Sequence, residues 1–225
     1  MNFVFDIDGT LTPSRKPIVK EFKDFFLNFC LTHNVYLVTG SDYVKVVEQL
    51  GEEITLAVKR VYCCSGNDVY ENGINIYTNT WILPERPHEW LSYNLIHSKF
   101  PLRTGLHFEH RPGMVNFSIV GRNATDEQRA LYVEYDQHTK ERLSLAEEFN
   151  STFPELEAKA GGETGLDISP KGRNKSQIMK DFSEIIFFGD RMDITGNDYP
   201  LAQVNPGINH HVSGWEETYS ILLDV

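Results

Sequence analysis

The chain has 225 residues, of which 40% are hydrophobic and 24% are charged, a composition typical of a globular protein with a substantial packed core. Its 32 acidic residues outnumber its 21 basic ones, and the resulting net charge of −11 argues against general binding to nucleic-acid backbones. The three cysteines fit no zinc-binding spacing, no apolar run is long enough to span a bilayer, and the first residues lack the pattern of a secretory signal. We therefore expect a cytoplasmic protein that binds neither nucleic acid nor a membrane.

In the first third of the chain, short apolar segments alternate with helical patterns. The predicted strands, and the hairpin that follows them, are Phe3–Ile7, Val35–Val38, Val61–Cys64 and Tyr70–Thr78. Apolar residues three and four apart predict an amphipathic helix after Pro17. A second, short helix is predicted between a Ser41 or Asp42 cap and Gly51. Strands separated by helices indicate a mainly parallel, doubly wound α/β sheet.

The middle of the chain loses this alternation. Its predicted elements are a helix at Glu89–Phe100, strands at Leu106–His110 and Met114–Val120, a long helix from Asp126 to about Phe149, and two short strands around Gly161–Gly162. Thr125 and Gln128 form a capping box at the start of the long helix. Elements in this order predict an α+β insert.

The α/β alternation resumes after the insert. Asn174 caps a predicted helix that runs to Phe182, Ile185–Phe188 is a further strand, and Trp215 belongs to a C-terminal helix. The sequence therefore predicts an α/β core domain interrupted by a cap domain. The predicted bounds are residues 1–80 and 171–225 for the core and 81–170 for the cap.

Two aspartates follow the first predicted strand. Asp6 and Asp8 are two residues apart, so their side chains point to the same side of the strand. They lie at its carboxyl end, where α/β proteins place their ligands. Neighbouring carboxylates repel unless they share a cation or a proton. Taken alone, the pair is equally consistent with ordinary turn residues.

Polar residues also occupy three later positions of the same kind. Thr39-Gly40-Ser41 follows the second strand and offers a hydroxyl and backbone N–H groups that can hold a phosphate. Lys175 begins a late helix and offers a fixed positive charge. Asp190, Asn197 and Asp198 offer oxygen ligands for magnesium. Each feature has an ordinary explanation as a loop or a cap, but the four in this order indicate a phosphate site.

This combination resembles the four motifs of the haloacid dehalogenase superfamily of phosphotransferases and phosphatases, and the insert lies where the C2-capped branch has its cap. The matching residues are Asp6-x-Asp8-Gly9-Thr10, Thr39, Lys175, Asp190 and Asn197-Asp198. The resemblance implies that Asp6 is the nucleophile and Asp8 the general acid and base, and that Thr39 and Lys175 are further catalytic residues. It also implies a bound Mg²⁺ ion. The implied ligands are Asp6, Asp8 and Asp190, with Asn197 and Asp198 behind them.

Further segments resemble the eukaryotic-type phosphomannomutases within that superfamily. They are Asp8–Arg15, Gly40–Lys45, Glu71–Gly73, Arg111–Asn116, Val120–Arg122, Glu127–Arg129, and Gly161-Gly162 followed by Asp167. The implied substrate contacts are Arg15, Gly40, Ser41, Arg111, Arg122, Arg129 and Asp167. The resemblance also implies a sugar-phosphate substrate and a sugar bisphosphate activator, and it is consistent with a homodimer formed through the cap.

Three arginines of the insert suit a phosphate clamp. Arg111 and Arg122 are assigned to the ends of predicted strands, and Arg129 falls in the first turn of the long helix. Arginine presents forked donors that are always charged. The alternative is weak surface ion pairs with neighbouring acidic residues. These acids are Glu109, Asp126 and Glu127. We favour the clamp because all three arginines fall in the matched segments.

The sequence also departs from the phosphomannomutase pattern. Gly165 replaces a serine two positions before Asp167, and Arg191-Met192 replaces Lys-Thr after Asp190. The segment Ser65–Asp68, which leads into the predicted hairpin, is longer than the corresponding segment of that pattern. The loop ending at Asn205 lacks the acidic residue expected for a second cation. These changes leave the superfamily chemistry intact and bear on mutase specificity.

The expected reaction is the interconversion of mannose 6-phosphate and mannose 1-phosphate through an aspartyl-phosphate. Two alternatives stay open at this point. The same core residues would serve a sugar-phosphate phosphatase, and a non-catalytic module could bind a sugar phosphate without turnover. The sequence also leaves open whether the sugar is mannose or glucose, since the two differ only in the orientation of one hydroxyl.

Overall fold

A computed structural model of the chain describes residues 1–13, 16–161, 163–194 and 196–225. The strands are β1 (Asn2–Phe5), β2 (Asn34–Val38), β3 (Arg60–Cys63), β4 (Asp68–Glu71), β5 (Ile74–Thr78), β6 (Phe108–Arg111), β7 (Met114–Ser118), β8 (Leu156–Gly161), β9 (Gly165–Pro170), β10 (Ile186–Gly189) and β11 (Ile208–His211). The α-helices are α1 (Lys20–Thr32), α2 (Tyr43–Leu50), α3 (Glu52–Ala57), α4 (Glu85–His97), α5 (Asp126–Thr139), α6 (Glu141–Thr152), α7 (Tyr199–Val204) and α8 (Trp215–Leu222). Two 3₁₀ helices lie at Cys64–Gly66 and Lys175–Asp181. The described chain divides into two compact units, one of residues 1–79 and 172–225 and the other of residues 80–171.

The first unit is built on a seven-stranded sheet with the strand order β11-β10-β1-β2-β3-β4-β5. The strands from β11 to β3 run parallel, and β4 and β5 add an antiparallel hairpin. Side chains of β1 alternate between two clusters, because Phe3 and Phe5 pack in one and Val4 packs in the other with Ile178 and Leu201. The sheet is therefore covered on both faces, and the predicted mainly parallel, doubly wound arrangement is confirmed.

Helices α1 and α2 follow the predicted patterns. In α1, Phe22, Phe26 and Phe29 are four and three residues apart and all are buried, as an amphipathic helix against a sheet requires. Asp42 caps α2 by accepting a hydrogen bond from the backbone N–H of Lys45 at 2.9 Å. Of the two predicted caps, Ser41 and Asp42, the N-cap of α2 is therefore Asp42.

The second unit contains a four-stranded antiparallel sheet with the order β6-β7-β9-β8. Leu91 from α4, Tyr132 from α5 and Phe149 from α6 are buried in one cluster with Val115 and Phe117 of β7. The predicted α+β character of the insert is confirmed.

The single long helix expected from Asp126 to Phe149 is wrong, because the structure has two helices there. Lys140 lies between α5 and α6 with φ 56°, a left-handed conformation that no α-helix continues through. The carboxylate of Asp136 then accepts hydrogen bonds from the backbone N–H and the Nε of Arg142 at 2.8 and 2.9 Å. These bonds hold the start of α6 and stabilise the break.

Other elements also differ from the sequence prediction. The helix expected at Glu89–Phe100 begins earlier, at Glu85, because Pro87 lies in the first turn, where its missing N–H is not needed. The segment capped by Asn174 is a 3₁₀ helix. The elements α3, α7 and β11 were not predicted. Among the described residues, no helix combines the length and the apolar composition needed to cross a membrane.

Candidate active site

A buried lysine joins two of the predicted acidic residues. The Nζ of Lys175 lies 2.5 Å from Oδ1 of Asp6 and 2.6 Å from Oδ1 of Asp198. All three side chains are buried, and those of Lys175 and Asp198 are fully so. Charged groups are kept this far from water only when they are paired. The three residues therefore form one electrostatic unit.

Backbone hydrogen bonds fix where this unit lies. Asp6 follows β1 directly, and its N–H donates to the carbonyl of Phe188 in β10 at 2.9 Å. The N–H of Asp198 donates to the carbonyl of Arg191 at 3.1 Å, and the N–H of Arg191 donates to Oδ2 of Asp198 at 3.1 Å. This reciprocal pair closes the loop after β10 and brings Asp198 back to the sheet edge that carries Asp6.

Three carboxylates form a cluster that a metal ion would fit. Oxygen atoms of Asp6, Asp190 and Asp198 all lie within 4.8 Å of one another. When all three carboxyl groups are ionised, the single positive charge of Lys175 leaves two negative charges to balance. Hard divalent cations such as Mg²⁺ prefer oxygen ligands of this type. Asp6 and Asp190 belong to the predicted set of metal ligands. The third carboxylate that the structure places in this cluster is that of Asp198, whereas the predicted third ligand is Asp8.

The environment shifts the pKa values of these groups. Burial raises the pKa of Asp6 to about 8, and repulsion from Asp198 and Asp190 adds to this effect while Lys175 opposes it. Burial also raises the pKa of Asp190, helped by the charge of Asp198. Although burial lowers the pKa of Lys175, Asp198 and Asp6 outweigh it and raise that pKa above its ordinary value. Lys175 therefore stays charged among carboxylates that repel one another.

Asp8 lies in a tight turn that directly follows Asp6. The carbonyl of Ile7 accepts hydrogen bonds from the N–H groups of Leu11 and Thr12 at 2.9 and 3.0 Å. Gly9 has φ +81°, and a Cβ at that position would lie 2.8 Å from Cγ of Asp190. Only glycine therefore fits between this turn and the carboxylate cluster. Oδ1 of Asp8 accepts a hydrogen bond from Nε2 of Gln49 at 2.9 Å.

The predicted phosphate-holding segment follows β2, the strand next to β1. Residues Phe5 and Leu37 are paired in the parallel register, so Thr39 lies at the same edge of the sheet as Asp8. Thr39 is buried, and its Oγ1 accepts a hydrogen bond from the N–H of Ser41 at 3.0 Å. Gly40 is exposed and Ser41 is partly buried. The segment therefore has both a fixed hydroxyl and a surface open to solvent.

In the second unit, two of the predicted arginines share one glutamate. Nη2 of Arg111 lies 3.0 Å and Nε of Arg122 lies 2.5 Å from the carboxylate of Glu109. Arg111 ends β6, but Arg122 is in a turn beyond β7, so its predicted position on a strand is wrong. The N–H of Arg122 donates to the carbonyl of Leu106 at 2.7 Å, which holds this turn beside Glu109. Both arginines thus form the pairs with Glu109 that the ion-pair interpretation expects.

Arg129 and Asp167 have other partners. Arg129 pairs with Glu163 at 2.9 Å instead of the expected Asp126 or Glu127. Oδ1 of Asp167 accepts a hydrogen bond from Nδ2 of the buried Asn116 at 2.6 Å. A Cβ at Gly165 would lie 2.6 Å from the same Nδ2. Asn116 therefore fills the space that the side chain of the missing serine would need.

The structure describes one of the two remaining predicted site residues. Arg15 lies outside the described residues, and Asn197 is exposed next to the buried Asp198. Gln49, which contacts Asp8, is not among the predicted site residues. A signal for it exists, because Val46, Gln49 and Leu50 form the buried side of α2 and a polar residue on an apolar helix face needs a partner.

Comparisons with known proteins agree on one family. A family model described as eukaryotic phosphomannomutase matches residues 22–225. A phosphomannomutase of Arabidopsis thaliana is 33% identical over 96% of this chain and 92% of its own length, and one of Saccharomyces cerevisiae is 31% identical over 99% and 92%.

Solved structures share the fold at low identity. An IMP-nucleotidase of Plasmodium falciparum has a TM-score of 0.66 at 15% identity, covering 99% of this chain and 67% of its own. A haloacid dehalogenase-like hydrolase of Bacteroides thetaiotaomicron has a TM-score of 0.60 at 13% identity and covers 98% of both chains. The resemblance found in the sequence is confirmed, and the chain belongs to the eukaryotic phosphomannomutase family of the haloacid dehalogenase superfamily.

Proposed function

We propose that this protein is a Mg²⁺-dependent phosphomannomutase that interconverts mannose 6-phosphate and mannose 1-phosphate through an aspartyl-phosphate on Asp6. The observation that carries the proposal is the buried contact of Lys175 with Asp6 and Asp198. This contact lies beside the turn that holds Asp8, in a chain of phosphomannomutase ancestry. A carboxylate held at a fixed position next to a charge-balancing lysine is suited to act as a nucleophile.

The first half of the reaction phosphorylates the enzyme. An oxygen of Asp6 attacks the phosphorus atom of the sugar bisphosphate activator, and the new Asp6 O–P bond forms as the P–O bond to the sugar breaks. The departing sugar oxygen takes a proton from Asp8, which is left as a carboxylate. Lys175 holds the attacking carboxylate in place and opposes the effect of burial on its charge.

The second half returns the phosphoryl group to a sugar. A hydroxyl of a sugar monophosphate gives its proton to the Asp8 carboxylate and its oxygen bonds to phosphorus, while the P–O bond to Asp6 breaks. Asp6 and Asp8 are thereby restored to their starting states. The transfer yields a sugar bisphosphate, and a mutase is defined by the acceptor being a sugar hydroxyl instead of water.

The metal belongs with the carboxylate cluster. Asp6, Asp190 and Asp198 would hold Mg²⁺ through their oxygen atoms. When bound, the ion supplies positive charge against the negative charge of the phosphoryl oxygens. The predicted involvement of Asp8 as a ligand and of Asn197 as a supporting residue stays a prediction.

The remaining predicted residues would bind the substrate. We assign Thr39, Gly40 and Ser41 to the phosphoryl group being transferred, since the segment offers a hydroxyl and backbone N–H groups. The arginines and Asp167 are assigned to the sugar and its second phosphate; they are Arg15, Arg111, Arg122 and Arg129. Because phosphate competes with Glu109 and Glu163 for Arg111, Arg122 and Arg129, binding exchanges one set of ion pairs for another. A homodimer through the second unit stays a prediction.

A sugar-phosphate phosphatase is the second candidate. The observation that favours it is the loss of a serine at Gly165, where Asn116 occupies the space, since that change removes one sugar contact. Fold neighbours that are named as phosphatases or nucleotidases use the same architecture. In this case water, not a sugar hydroxyl, would give its proton to Asp8.

One assay separates the candidates. The protein is incubated with Mg²⁺, mannose 1-phosphate and a trace of mannose 1,6-bisphosphate, and both mannose 6-phosphate and free phosphate are measured. The mutase proposal expects mannose 6-phosphate to exceed free phosphate, whereas free phosphate without isomer conversion would establish the phosphatase. Asp6→Asn is the control, since a non-catalytic binding module predicts no turnover by either protein. The same assay with glucose 1-phosphate identifies the preferred sugar.

A further inference from the structure

Gln49 is a buried polar residue that directly contacts Asp8. The residue is 7% exposed, and its Nε2 donates to Oδ1 of Asp8 at 2.9 Å and to Oγ1 of Thr12 at 3.3 Å. Gln49 belongs to α2, whereas Asp8 and Thr12 belong to the turn after β1. The amide therefore links a helix to the turn that follows the proposed nucleophile.

The backbone around Gln49 makes this link rigid. The carbonyl of Gln49 accepts a hydrogen bond from the N–H of Ile18 at 2.8 Å, and Gln49 is buried together with Val46 and Leu50 of the same helix. A glutamine held in this way has few alternative rotamers, because neighbouring side chains and the helix restrict it. Its amide is consequently a fixed donor, and the carboxyl group that accepts from it is fixed as well.

From this geometry we infer that Gln49 is a positioning residue for Asp8. The amide N–H can only donate, so it fixes Oδ1 of Asp8 as an acceptor and sets the rotation of the carboxyl group. Oδ2 then carries the proton that Asp8 gives to the departing sugar oxygen, and the same atom takes the proton back from the acceptor hydroxyl. This inference rests on the proposed function, in which Asp8 is the general acid and base.

The inference predicts a dependence on the leaving group. A sugar oxygen needs a proton as it departs, whereas nitrophenolate is a stable anion and leaves without one. A variant that misplaces Asp8 should therefore slow phosphorylation of Asp6 by a sugar phosphate and spare phosphorylation by p-nitrophenyl phosphate. A purely structural role of Gln49 would slow both reactions alike.

The test uses the full-length protein with Gln49→Met, which keeps the length of the side chain and removes the donor. We expect kcat for mannose 1-phosphate to fall about 10- to 100-fold, the usual effect of losing a group that orients a functional side chain, with KM almost unchanged. The first-turnover burst of nitrophenolate should keep its wild-type rate. Thr12→Val is the matched control, because it removes another acceptor of the same amide, which also lies 3.5 Å from the carbonyl of Lys16, and leaves the contact with Asp8.

A double-mutant cycle completes the test. If Gln49 acts through Asp8, the Asp8→Asn/Gln49→Met protein should be no slower than Asp8→Asn alone. Additive losses, an equally slowed nitrophenolate burst, or a matching loss in Thr12→Val would each overturn the inference. A wild-type protein that releases phosphate without isomerising the sugar would refute the mutase proposal only, and the Gln49 comparison would then be read from phosphate release. No turnover of sugar phosphate by the wild type would refute both.

Discussion

Lys175 is the side chain on which the proposed site depends most. It is fully buried and supplies the positive charge shared by Asp6 and Asp198. Bringing three charges out of water is costly, and the pairing only offsets that cost. The arrangement is therefore explained better by chemistry than by stability, since apolar residues would fill the same space without the penalty.

Removal of this ammonium should be strongly destabilising. Lys175→Met leaves Asp6 and Asp198 buried and repelling each other, and we expect a loss of about 3–5 kcal/mol in the free energy of unfolding. Urea denaturation measures this loss, and a chelator is added so that no bound cation stabilises the folded protein. Lys59→Met, at an exposed position of the same unit, should change stability by less than about 0.5 kcal/mol. Equal effects of the two substitutions would contradict the account.

Individual site residues could be predicted only as far as local spacing determines them. The positions of Asp6 and Lys175 follow from strand and helix ends, and the structure brings the two into contact. The partnership of Asp198 with Lys175 depends on how the loop after β10 closes on itself, and the contact of Gln49 with Asp8 joins residues 41 positions apart. No local sequence pattern predicts either of these two contacts.

Among the helices and strands, the break between α5 and α6 shows where local signals are missing. Residues 136–142 are all polar, but residues 126–149 contain no glycine or proline, so nothing in the sequence marks the end of a helix there and one long helix is predicted. Lys140 nevertheless adopts φ 56°, because the carboxylate of Asp136 satisfies the N–H and side chain of Arg142. Side-chain hydrogen bonds of this kind compete with the helix and end α5 at this point, and a pattern of apolar residues does not predict them. The capping box of Thr125 and Gln128, by contrast, is a local signal and is confirmed.

The left-handed conformation of Lys140 leads to a stability prediction. Lys140→Gly removes the Cβ that disfavours positive φ and should stabilise the protein by about 0.5–1 kcal/mol, measured by thermal or urea unfolding. Lys140→Ala keeps the Cβ and should give no such gain. If Lys140→Gly were clearly less stable than the wild type, the backbone at residue 140 could not be what separates the helices.

Across the whole chain, each unit has its own architecture and its own buried core, formed by two clusters in the first unit and one in the second. The unit of residues 1–79 and 172–225, with the mainly parallel sheet, contains the carboxylate cluster, and the unit of residues 80–171, with the antiparallel sheet, contains Arg111, Arg122 and Arg129. The change in alternation along the sequence predicted both fold types, because strands that alternate with helices favour a parallel sheet and elements without that alternation favour an α+β fold. The edge strand β11 and the short helices α3 and α7 escaped prediction, since four to six residues give too little periodicity to read.

The central claim is that Asp6 accepts the phosphoryl group. The wild-type protein and Asp6→Asn are incubated with Mg²⁺ and mannose 1,6-bisphosphate, quenched in acid and reduced with borohydride, which converts an aspartyl-phosphate to homoserine. Mass spectrometry of the N-terminal peptide should find homoserine at position 6 of the wild type and none in the variant. Phosphoryl transfer by a wild-type protein that carries its label on another residue, or carries none, would contradict the account.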